Sequence, residues 1–349
     1  MPKLRLIFLV AWLLFARSLS ADQGNNLLRV HFVDVGQGDA IWIQGPAGEG
    51  VEQGVNIIID GGPDRGSGDR LLTYLDKYGL KKGSVIDYVI ATHPHDDHYP
   101  GLIDILANYE VKTIVDSGFP KEGPKFHEFI QAAQKETVKG KKSEFIQLRK
   151  NPDFTLQLGD ELQARILHVD SAAFQGMGSG NTRENNASTV VRIVYKNFSF
   201  LFMGDAEGKE RSQPPDTLRF VEKDLLSKVT PEELHSTVIK AGHHGSETGS
   251  TLSFIQAVRP EVVVIMSGRK AFNGTFIPDA SVIARYKKEL PGVTIVRTDE
   301  KDEAEGRDTT NDADGDDILI FTDGDSLQVH QSRGPANHRS WVKVKTIQK

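Results

Sequence analysis

The sequence has no cysteine among its 349 residues. Disulfide bonds and thiolate ligands are therefore excluded, and any metal site has to be built from histidine and carboxylate side chains. Long apolar runs are missing after the first twenty residues, so no integral membrane domain is predicted. Basic residues are not in excess either, since the net charge is −6. Proteins that track nucleic acids usually carry a basic stripe, so the charge argues against tight nucleic-acid binding, although a local basic groove stays open.

The N-terminal segment has the features of a secretory signal peptide. Two basic residues precede an apolar run at residues 6–16, which is too short to span a bilayer comfortably. Ser18 and Ser20 are small residues at the −3 and −1 positions of a cleavage site before Ala21. We expect residues 1–20 to be removed and the protein to be exported to the periplasm or the medium. An uncleaved N-terminal anchor is the alternative.

The rest of the chain reads as one domain, residues 27–332, followed by a C-terminal tail at 333–349. Alternating apolar residues from Leu28 to Val35 predict a strand, and two further short strands follow before any helix. This order favours an antiparallel or mixed sheet over a series of parallel β-α-β units. The segment from Gln175 to Glu184, rich in Gly, Ser and Asn, is predicted to be a loop, and the tail is predicted to be frayed. Later helices are predicted at 70–78, 101–109, 125–136, 220–226, 253–258 and 279–290.

The strongest chemical signal is the run Thr92-His-Pro-His-Asp-Asp-His98, directly after the apolar strand 85–90. Three imidazoles and two carboxylates in six residues would be very costly to bury without partners. A solvated polar loop does not explain why three of the eleven histidines cluster there. Imidazole and carboxylate ligands suit zinc, iron and manganese. We therefore predict metal ligation by His93, His95, Asp97 and His98.

Two other segments place metal-binding side chains after strands. Gly204-Asp205 ends an apolar strand, where one carboxylate can bridge two cations, and His243-His244-Gly-Ser follows the strand predicted at 236–240. Each piece alone is weak, because an aspartate after a strand is usually a turn residue. In this order along the chain they predict one shared site.

The order His-x-His-x-Asp-His, then Gly-Asp, then His resembles the metallo-β-lactamase superfamily. Three further motifs make the sequence similar to the hydrolase domain of ComEC-type competence proteins: Asp34-Val-Gly-Gln-Gly-Asp39, Ile59-Asp-Gly-Gly62 and Gly242-His-His-Gly-Ser246. The match runs from about Val30 to about Gln331.

The resemblance implies an α/β fold, a four-layer αββα sandwich with two divalent metals at one edge of its sheets. Zinc is the expected metal, with manganese as the alternative. His93 and His95 would hold the first metal, and Asp97 and His98 the second. Asp205 would bridge the two metals, His243 or His244 would complete the second, and Asp60 would support the histidine loop from behind.

The sequence departs from the family pattern at two places. Many members supply a further histidine to the first metal from the segment before the Gly-Asp strand, which here reads Glu184-Asn-Asn-Ala-Ser188. Asn185, Asn186 or water would take that place. His168 lies nearby, but its strand position favours an ordinary packed histidine. Relatives also tend to carry His-Pro where this chain has Ile277-Pro278, which puts substrate handling on that side in doubt.

The resemblance implies hydrolysis by a hydroxide held between two metals. Asp97 is expected to orient the attacking water, and the histidine of the 243–244 pair that is not a ligand is expected to protonate the leaving group. A phosphodiester, such as DNA or a phosphorylated surface or lipid group, is the leading substrate class. A lactone or β-lactam hydrolase and a non-catalytic metal-binding member of the family are the alternatives. The transmembrane channel of complete competence proteins is missing here, so DNA uptake is not expected.

Overall fold

The fold is known from a computed structural model. It describes residues 26–47, 54–63, 65–159, 161–170, 177–268, 271–272, 274–300, 315–333 and 339–349. The predicted signal peptide at residues 1–20 lies outside the described residues. None of the described helices is both long and apolar enough to cross a membrane.

Two large sheets form the framework. The nine-stranded sheet has the order β19-β18-β17-β1-β2-β3-β4-β5-β8, and the six-stranded sheet has the order β16-β13-β12-β11-β10-β9. The strands are β1 (Leu28–Phe32), β2 (Ala40–Gln44), β3 (Asn56–Gly61), β4 (Val85–Ala91), β5 (Glu110–Asp116), β6 (Thr137–Val138), β7 (Lys141–Lys142), β8 (Glu144–Gln147), β9 (Leu162–His168), β10 (Val190–Tyr195), β11 (Phe198–Phe202), β12 (Val238–Lys240), β13 (Val262–Ile265), β14 (Ala271–Phe272), β15 (Thr275–Phe276), β16 (Thr294–Arg297), β17 (Ile318–Thr322), β18 (Ser326–Arg333) and β19 (Ser340–Gln348).

Helices cover the outer face of each sheet. They are α1 (Arg65–Lys77), α2 (Pro100–Asn108), α3 (Pro124–Lys135), α4 (Gly180–Asn185), α5 (Phe220–Lys228), α6 (Pro231–Leu234), α7 (Leu252–Val258) and α8 (Ala280–Glu289), with a 3₁₀ turn at Gly242–Gly245. The predicted helices all form, with ends that move by a few residues. Two further short helices form: α4, which overlaps the segment predicted to be a loop, and α6.

The period-two alternation of the strands explains the layers. On β3, Ile57 and Ile59 point into the core between the sheets, while Ile58 packs with the helices outside. On β11, Phe200 joins the central core and Leu201 packs against the helices on the other side. Since successive strand residues face opposite sides, these central strands are apolar on both faces of their sheets. The predicted αββα sandwich is confirmed.

The C-terminal tail is not frayed, so this expectation was wrong for residues 340–348. They form β19, which pairs antiparallel with β18 and extends the nine-stranded sheet. β19 is an edge strand in which Ile347 is the buried residue. The alternation Val342-Lys-Val344-Lys is the strand signal that the expectation of a frayed tail overlooked, and Val344 packs against the central core.

The topology brings the predicted site residues to one edge. β3 and β4 are parallel neighbours, and so are β11 and β12. Parallel neighbours end at the same edge of a sheet. Asp60 near the end of β3, the histidine loop after β4, Asp205 after β11 and the histidine pair after β12 therefore meet between the two sheets.

Candidate metal centre

The histidine loop is held against the turn that follows β1. The backbone N–H of Asp39 donates to the carbonyl of Asp97 at 3.2 Å. Gly38 has a φ of +143°, and a Cβ there would lie 2.2 Å from the same carbonyl oxygen. Only glycine allows this approach, which explains the Gly-Gln-Gly-Asp sequence of the motif.

The predicted ligands form two groups that share one carboxylate. His93, His95 and Asp205 offer donor atoms within 4.8 Å of one another, and so do Asp97, His98, Asp205 and His244. Asp205 Oδ2 lies 3.7 Å from His93 Nε2 and 3.3 Å from His244 Nε2, and its Oδ1 lies 3.3 Å from His98 Nε2. Asp205 is thus placed between the groups, as a bridging carboxylate has to be.

The four histidines of these groups each have a partner on the outward ring nitrogen. His93 Nδ1 donates to Thr92 Oγ1 at 3.1 Å, and His98 Nδ1 donates to Asp60 Oδ2 at 2.8 Å. His244 Nδ1 donates to a backbone carbonyl, that of Met266, at 2.9 Å. Such partners set the tautomer and the ring orientation of metal-binding histidines. They leave the Nε2 atoms of His93, His98 and His244 facing the shared carboxylate.

In His95 the two ring nitrogens have exchanged roles, so that Nδ1 faces the first group and Nε2 faces away from it. Its Nδ1 lies 3.1 Å from His93 Nε2, while its Nε2 lies 3.1 Å from Glu184 Oε2. Lys121 Nζ pairs with the same glutamate oxygen at 2.5 Å. Glu184 therefore supports His95 from outside the first group. The sequence analysis missed this role, since the two residues lie 89 positions apart in the sequence.

The electrostatics of the site fit a cation-binding role. Burial lowers the pKa of His98 and of His244, but the carboxylates around them, Asp205 foremost, outweigh burial and raise both pKa values well above the ordinary value. Burial alone would raise the pKa of Asp205, but the two imidazoles hold it well below its usual range. Asp205 is 2% exposed, and its Oδ1 has no hydrogen-bond partner. A buried, ionised carboxylate with a lone pair left over matches a divalent cation.

A buried ion pair lies directly beneath the second group and was not predicted. Lys240 is fully buried, donates to the Gly204 carbonyl at 2.8 Å and forms an ion pair with Asp39. Its Nζ is 3.7 Å from Asp205 Oδ1, and Asp39 Oδ1 is 3.4 Å from His244 Nδ1. The sequence did contain one sign of this ion pair: a lysine at the end of the otherwise apolar strand β12.

The structure separates the two adjacent histidines. Both have left-handed backbone conformations, with φ values of +46° for His243 and +53° for His244. His244 points into the second group, whereas His243 is outside both groups, with its side chain 25% exposed. His243 Nδ1 lies 2.9 Å from Glu207 Oε1 and 2.9 Å from Thr248 Oγ1. Glu207 thus orients His243 much as Asp60 orients His98.

The asparagines before β10 have different roles. Asn186 is fully buried, accepts from the backbone N–H of Glu207 at 3.0 Å and donates to the Thr182 carbonyl at 2.8 Å. It supports the turn that carries Glu207. Asn185 donates to Glu207 Oε1 at 3.0 Å and borders the cleft. His168 is buried and bonded to Asp224 and to the Asn186 carbonyl, as a packed histidine would be.

A cleft of about 500 Å³ opens over the two groups. Ile277 borders it on the side where the related motif has histidine, so that side is apolar here. Arg211 borders it as well, held by Asp279 at 2.9 Å through both guanidinium NH groups and by Ser246 Oγ at 3.0 Å. The lining residues are His95, Asp96, Asp97, Asn181, Thr182, Asn185, Asp205, Glu207, Arg211, His243, His244, Ser246, Thr248, Thr275 and Ile277.

Comparisons with known proteins agree with this geometry. The family model described as "Metallo-beta-lactamase superfamily" matches residues 33–269. ComE operon protein 3 of Bacillus subtilis is 27% identical over 304 residues, covering 83% of this chain and 34% of that protein. Recombination protein 2 of Haemophilus influenzae is 26% identical over 299 residues, covering 84% of this chain and 31% of that protein. The chain therefore spans about a third of the length of these relatives.

Among solved structures, the E377D mutant of CmlA β-hydroxylase aligns with a TM-score of 0.41 at 14% identity. The alignment covers 77% of this chain and 52% of that one. The resemblance to the superfamily and to competence proteins is confirmed by the family match and the two relatives.

Proposed function

This chain belongs to the metallo-β-lactamase superfamily, and we propose that it is a metal-dependent hydrolase of phosphodiesters. The observation that carries the proposal is the position of Asp205 between two groups of buried ligands at the floor of an open cleft. The first group would hold one cation through His93, His95 and Asp205, and the second group would hold the other through Asp97, His98, Asp205 and His244. A non-catalytic metal-binding role is disfavoured because Asp97, Asp205 and His243 all border an open cleft, where a substrate can reach them.

A phosphodiester is favoured over a lactone or β-lactam by one cationic side chain at the cleft wall. Arg211 presents a guanidinium at the cleft wall, and its contacts with Asp279 and Ser246 hold it in place. Asp279 and Ser246 occupy part of the guanidinium, and its remaining N–H groups can donate charge-assisted hydrogen bonds to phosphate oxygens. The relative named Recombination protein 2 supports the same substrate class, because recombination acts on DNA, a phosphodiester.

Two bound divalent cations would supply Lewis-acid stabilisation of the phosphoryl oxygens and a lowered pKa for water. The protein's own residues position the reactants. The side chain of Asp97 is 24% exposed and borders the cleft, so its carboxylate can accept a hydrogen bond from the attacking water and orient it. The water oxygen bonds to phosphorus as the bond from phosphorus to the leaving oxygen breaks.

His243 is placed to protonate the leaving oxygen. Its Nδ1 faces Glu207, and Glu207 is 2% exposed. The buried carboxylate accepts from Nδ1 and fixes the ring at the cleft wall, as the aspartate of a catalytic triad orients its histidine, and this leaves Nε2 to carry a proton to the substrate. The proton on Nε2 can therefore pass to the leaving group, a step that contributes ~10²–10⁴-fold in rate when a positioned side chain performs it.

The experiment compares two leaving groups. We expect the wild-type protein, loaded with zinc or manganese, to cleave bis(p-nitrophenyl) phosphate and a dinucleotide with an alkoxide leaving group. His243→Gln should keep its metals but lose ~10²-fold or more on the dinucleotide, and much less on the aryl ester, whose leaving group needs no proton. His127→Gln, a change at an exposed histidine, is the matched control.

Two results would contradict the proposal. A wild-type protein that opens a lactone or a cephalosporin but leaves both phosphodiesters intact would show an acyl hydrolase instead. If His243→Gln lost the same factor of activity on both phosphodiesters, His243 would not be the residue that protonates the leaving group.

Export is part of the proposal. Residues 1–20 would direct the chain to the periplasm or the medium, and the mature protein would begin near Ala21. N-terminal sequencing of the protein recovered from these compartments tests this, and an intact Met1 on cytoplasmic protein would overturn it.

A further inference from the structure

The two groups of ligands are unequal. The second group contributes four residues, Asp97, His98, Asp205 and His244, whereas the first contributes three. Zinc sites usually have four ligands, one of which is open to water or substrate in catalytic sites. Because catalytic zinc can expand to five ligands, the first group can take one more donor from the protein beside the water, and the segment before β10 carries no histidine to supply it.

Asn185, the last residue of α4, has an unused donor atom. The residue is 3% exposed, and its Oδ1 is buried without a hydrogen-bond partner. Its Nδ2 donates to Glu207 Oε1 at 3.0 Å, which decides which end of the amide is the oxygen. The side chain borders the same cleft as His95 and Asp205. A buried carbonyl without a partner is costly, and an ion is one of the few explanations for it.

The neighbouring residues are already occupied. Glu184 contacts His95 at Nε2, the nitrogen that faces away from His93, and it also pairs with Lys121. Asn186 uses its oxygen for the backbone of Glu207 and its nitrogen for the Thr182 carbonyl. Asn185 is therefore the residue of this segment with a donor atom left for a cation.

We propose that Oδ1 of Asn185 is the fourth protein ligand of the first metal, in the place where many family members use histidine. This inference rests on the two-metal site of the proposed function. A neutral amide oxygen is a weaker ligand for zinc than imidazole or carboxylate, and carbonyl oxygens suit harder cations such as manganese. The first site then binds zinc more weakly than the second, and the metals load one after the other.

The test measures metal binding without substrate. Metal-free full-length protein is titrated with Zn²⁺ against a chromophoric chelator, and separately with Mn²⁺ followed by electron paramagnetic resonance. For the wild type we expect two sites of different affinity. Asn185→Ala should weaken the weaker site at least tenfold and leave the tighter site unchanged. Asn185→His should tighten the weaker site for Zn²⁺ more than for Mn²⁺.

Asn181→Ala is the matched control, because Asn181 borders the cleft from the same helix but is exposed. It should leave both affinities unchanged. Thermal melting in chelator shows that the variants fold. Equal weakening of both sites by Asn185→Ala would show a structural role and overturn the proposal. Two unchanged sites in Asn185→Ala, or an Asn185→His protein that binds like Asn185→Ala, would overturn it as well. A wild type that binds two metals but cleaves no phosphodiester would overturn the proposed function and leave this inference standing.

Discussion

Nδ1 of His98 donates to Oδ2 of Asp60 at 2.8 Å, and both side chains are completely buried. The same carboxylate accepts from the hydroxyl of Thr92, which in turn accepts from His93 Nδ1. Asp60 therefore sets the orientation of one histidine in each group, although Asp60 itself is not a member of either group.

Asp60→Asn should weaken binding at both metal sites. The amide keeps the size of the side chain but loses the charge that holds His98. It offers one acceptor oxygen, whereas the Thr92 N–H, the Thr92 hydroxyl and His98 Nδ1 use both oxygens of Asp60. Loss of such an outer partner typically costs ~10–100-fold in metal affinity or activity. Zinc competition titrations on wild type and variant measure this. If Asp60→Asn weakened metal binding only at the second group, the hydrogen bond from His93 to Thr92 would not contribute to metal affinity.

Asp205→Asn should reduce turnover by ~10²-fold or more, because misplacing the attacking water costs at least that much. The carboxylate is shared by both groups, so both metals should bind more weakly, while the isosteric change at a strand end leaves the fold intact. Asp96→Asn is the matched control. The side chain of Asp96 is 64% exposed, and it accepts from Tyr99 Oη at 3.0 Å. Activity, metal content and melting are measured for both, and full activity in Asp205→Asn would show that the site is misassigned.

Arg211→Met should raise KM for an anionic phosphodiester by roughly 10–100-fold, the range expected when a hydrogen bond to a charged group worth ~1.5–3 kcal/mol is lost. Arg211→Lys should recover little, since the ammonium lacks the planar fork that Asp279 and Ser246 hold in place. Arg219→Met serves as the control, because Arg219 is similarly exposed and is absent from the cleft lining. Steady-state kinetics that show the same change in KM for both methionine variants would exclude Arg211 as a phosphate contact.

The stability of the protein should depend on pH through Asp116, at the end of β5. Burial raises the pKa of this carboxyl to about 6. Since the folded state binds the proton more tightly than the unfolded state, the contribution to stability is present below the ordinary pKa near ~3.9 and is lost as the pH rises through about 6. A shift of about two pKa units corresponds to about 3 kcal/mol.

Asp116→Asn removes this titration. The variant should therefore gain stability relative to wild type between pH 4 and pH 7.5, by at most about 3 kcal/mol because the bond from the Gly118 N–H at 3.0 Å has to be kept by the amide. Urea unfolding in chelator at the two pH values measures the difference. Asp153→Asn, at an exposed aspartate, is the control, and its free energy of unfolding should change with pH as that of the wild type does. If the free energy of unfolding of Asp116→Asn changed with pH as that of the wild type does, the Asp116 carboxyl would have the same pKa in the folded and unfolded states.

Local sequence patterns were enough for much of the fold and for the ligand groups. The histidine loop packs three imidazoles into six residues, and Asp205 follows directly after an apolar strand, so each piece was visible without knowledge of its neighbours. The order of the pieces along the chain resembles the metallo-β-lactamase superfamily, and that resemblance implied the αββα sandwich, which the two sheets and their outer helices confirm. The individual strands, helices and ligand motifs depend on periodicity and on residues close together in sequence, which is why a single sequence reveals them.

Other features depended on contacts between distant segments. Left-handed φ values at His243 and His244 decide which ring joins the second group, and no side-chain pattern specifies that. Lys240 meets Asp39, and Glu184 meets His95, only because strand ends from both sheets converge. Glu184 looks like an ordinary surface charge in the sequence, and nothing in the sequence pairs Lys240 with Asp39. Burial between two sheets is what obliges them to find partners, since an unpaired charge or carbonyl cannot be left there without cost.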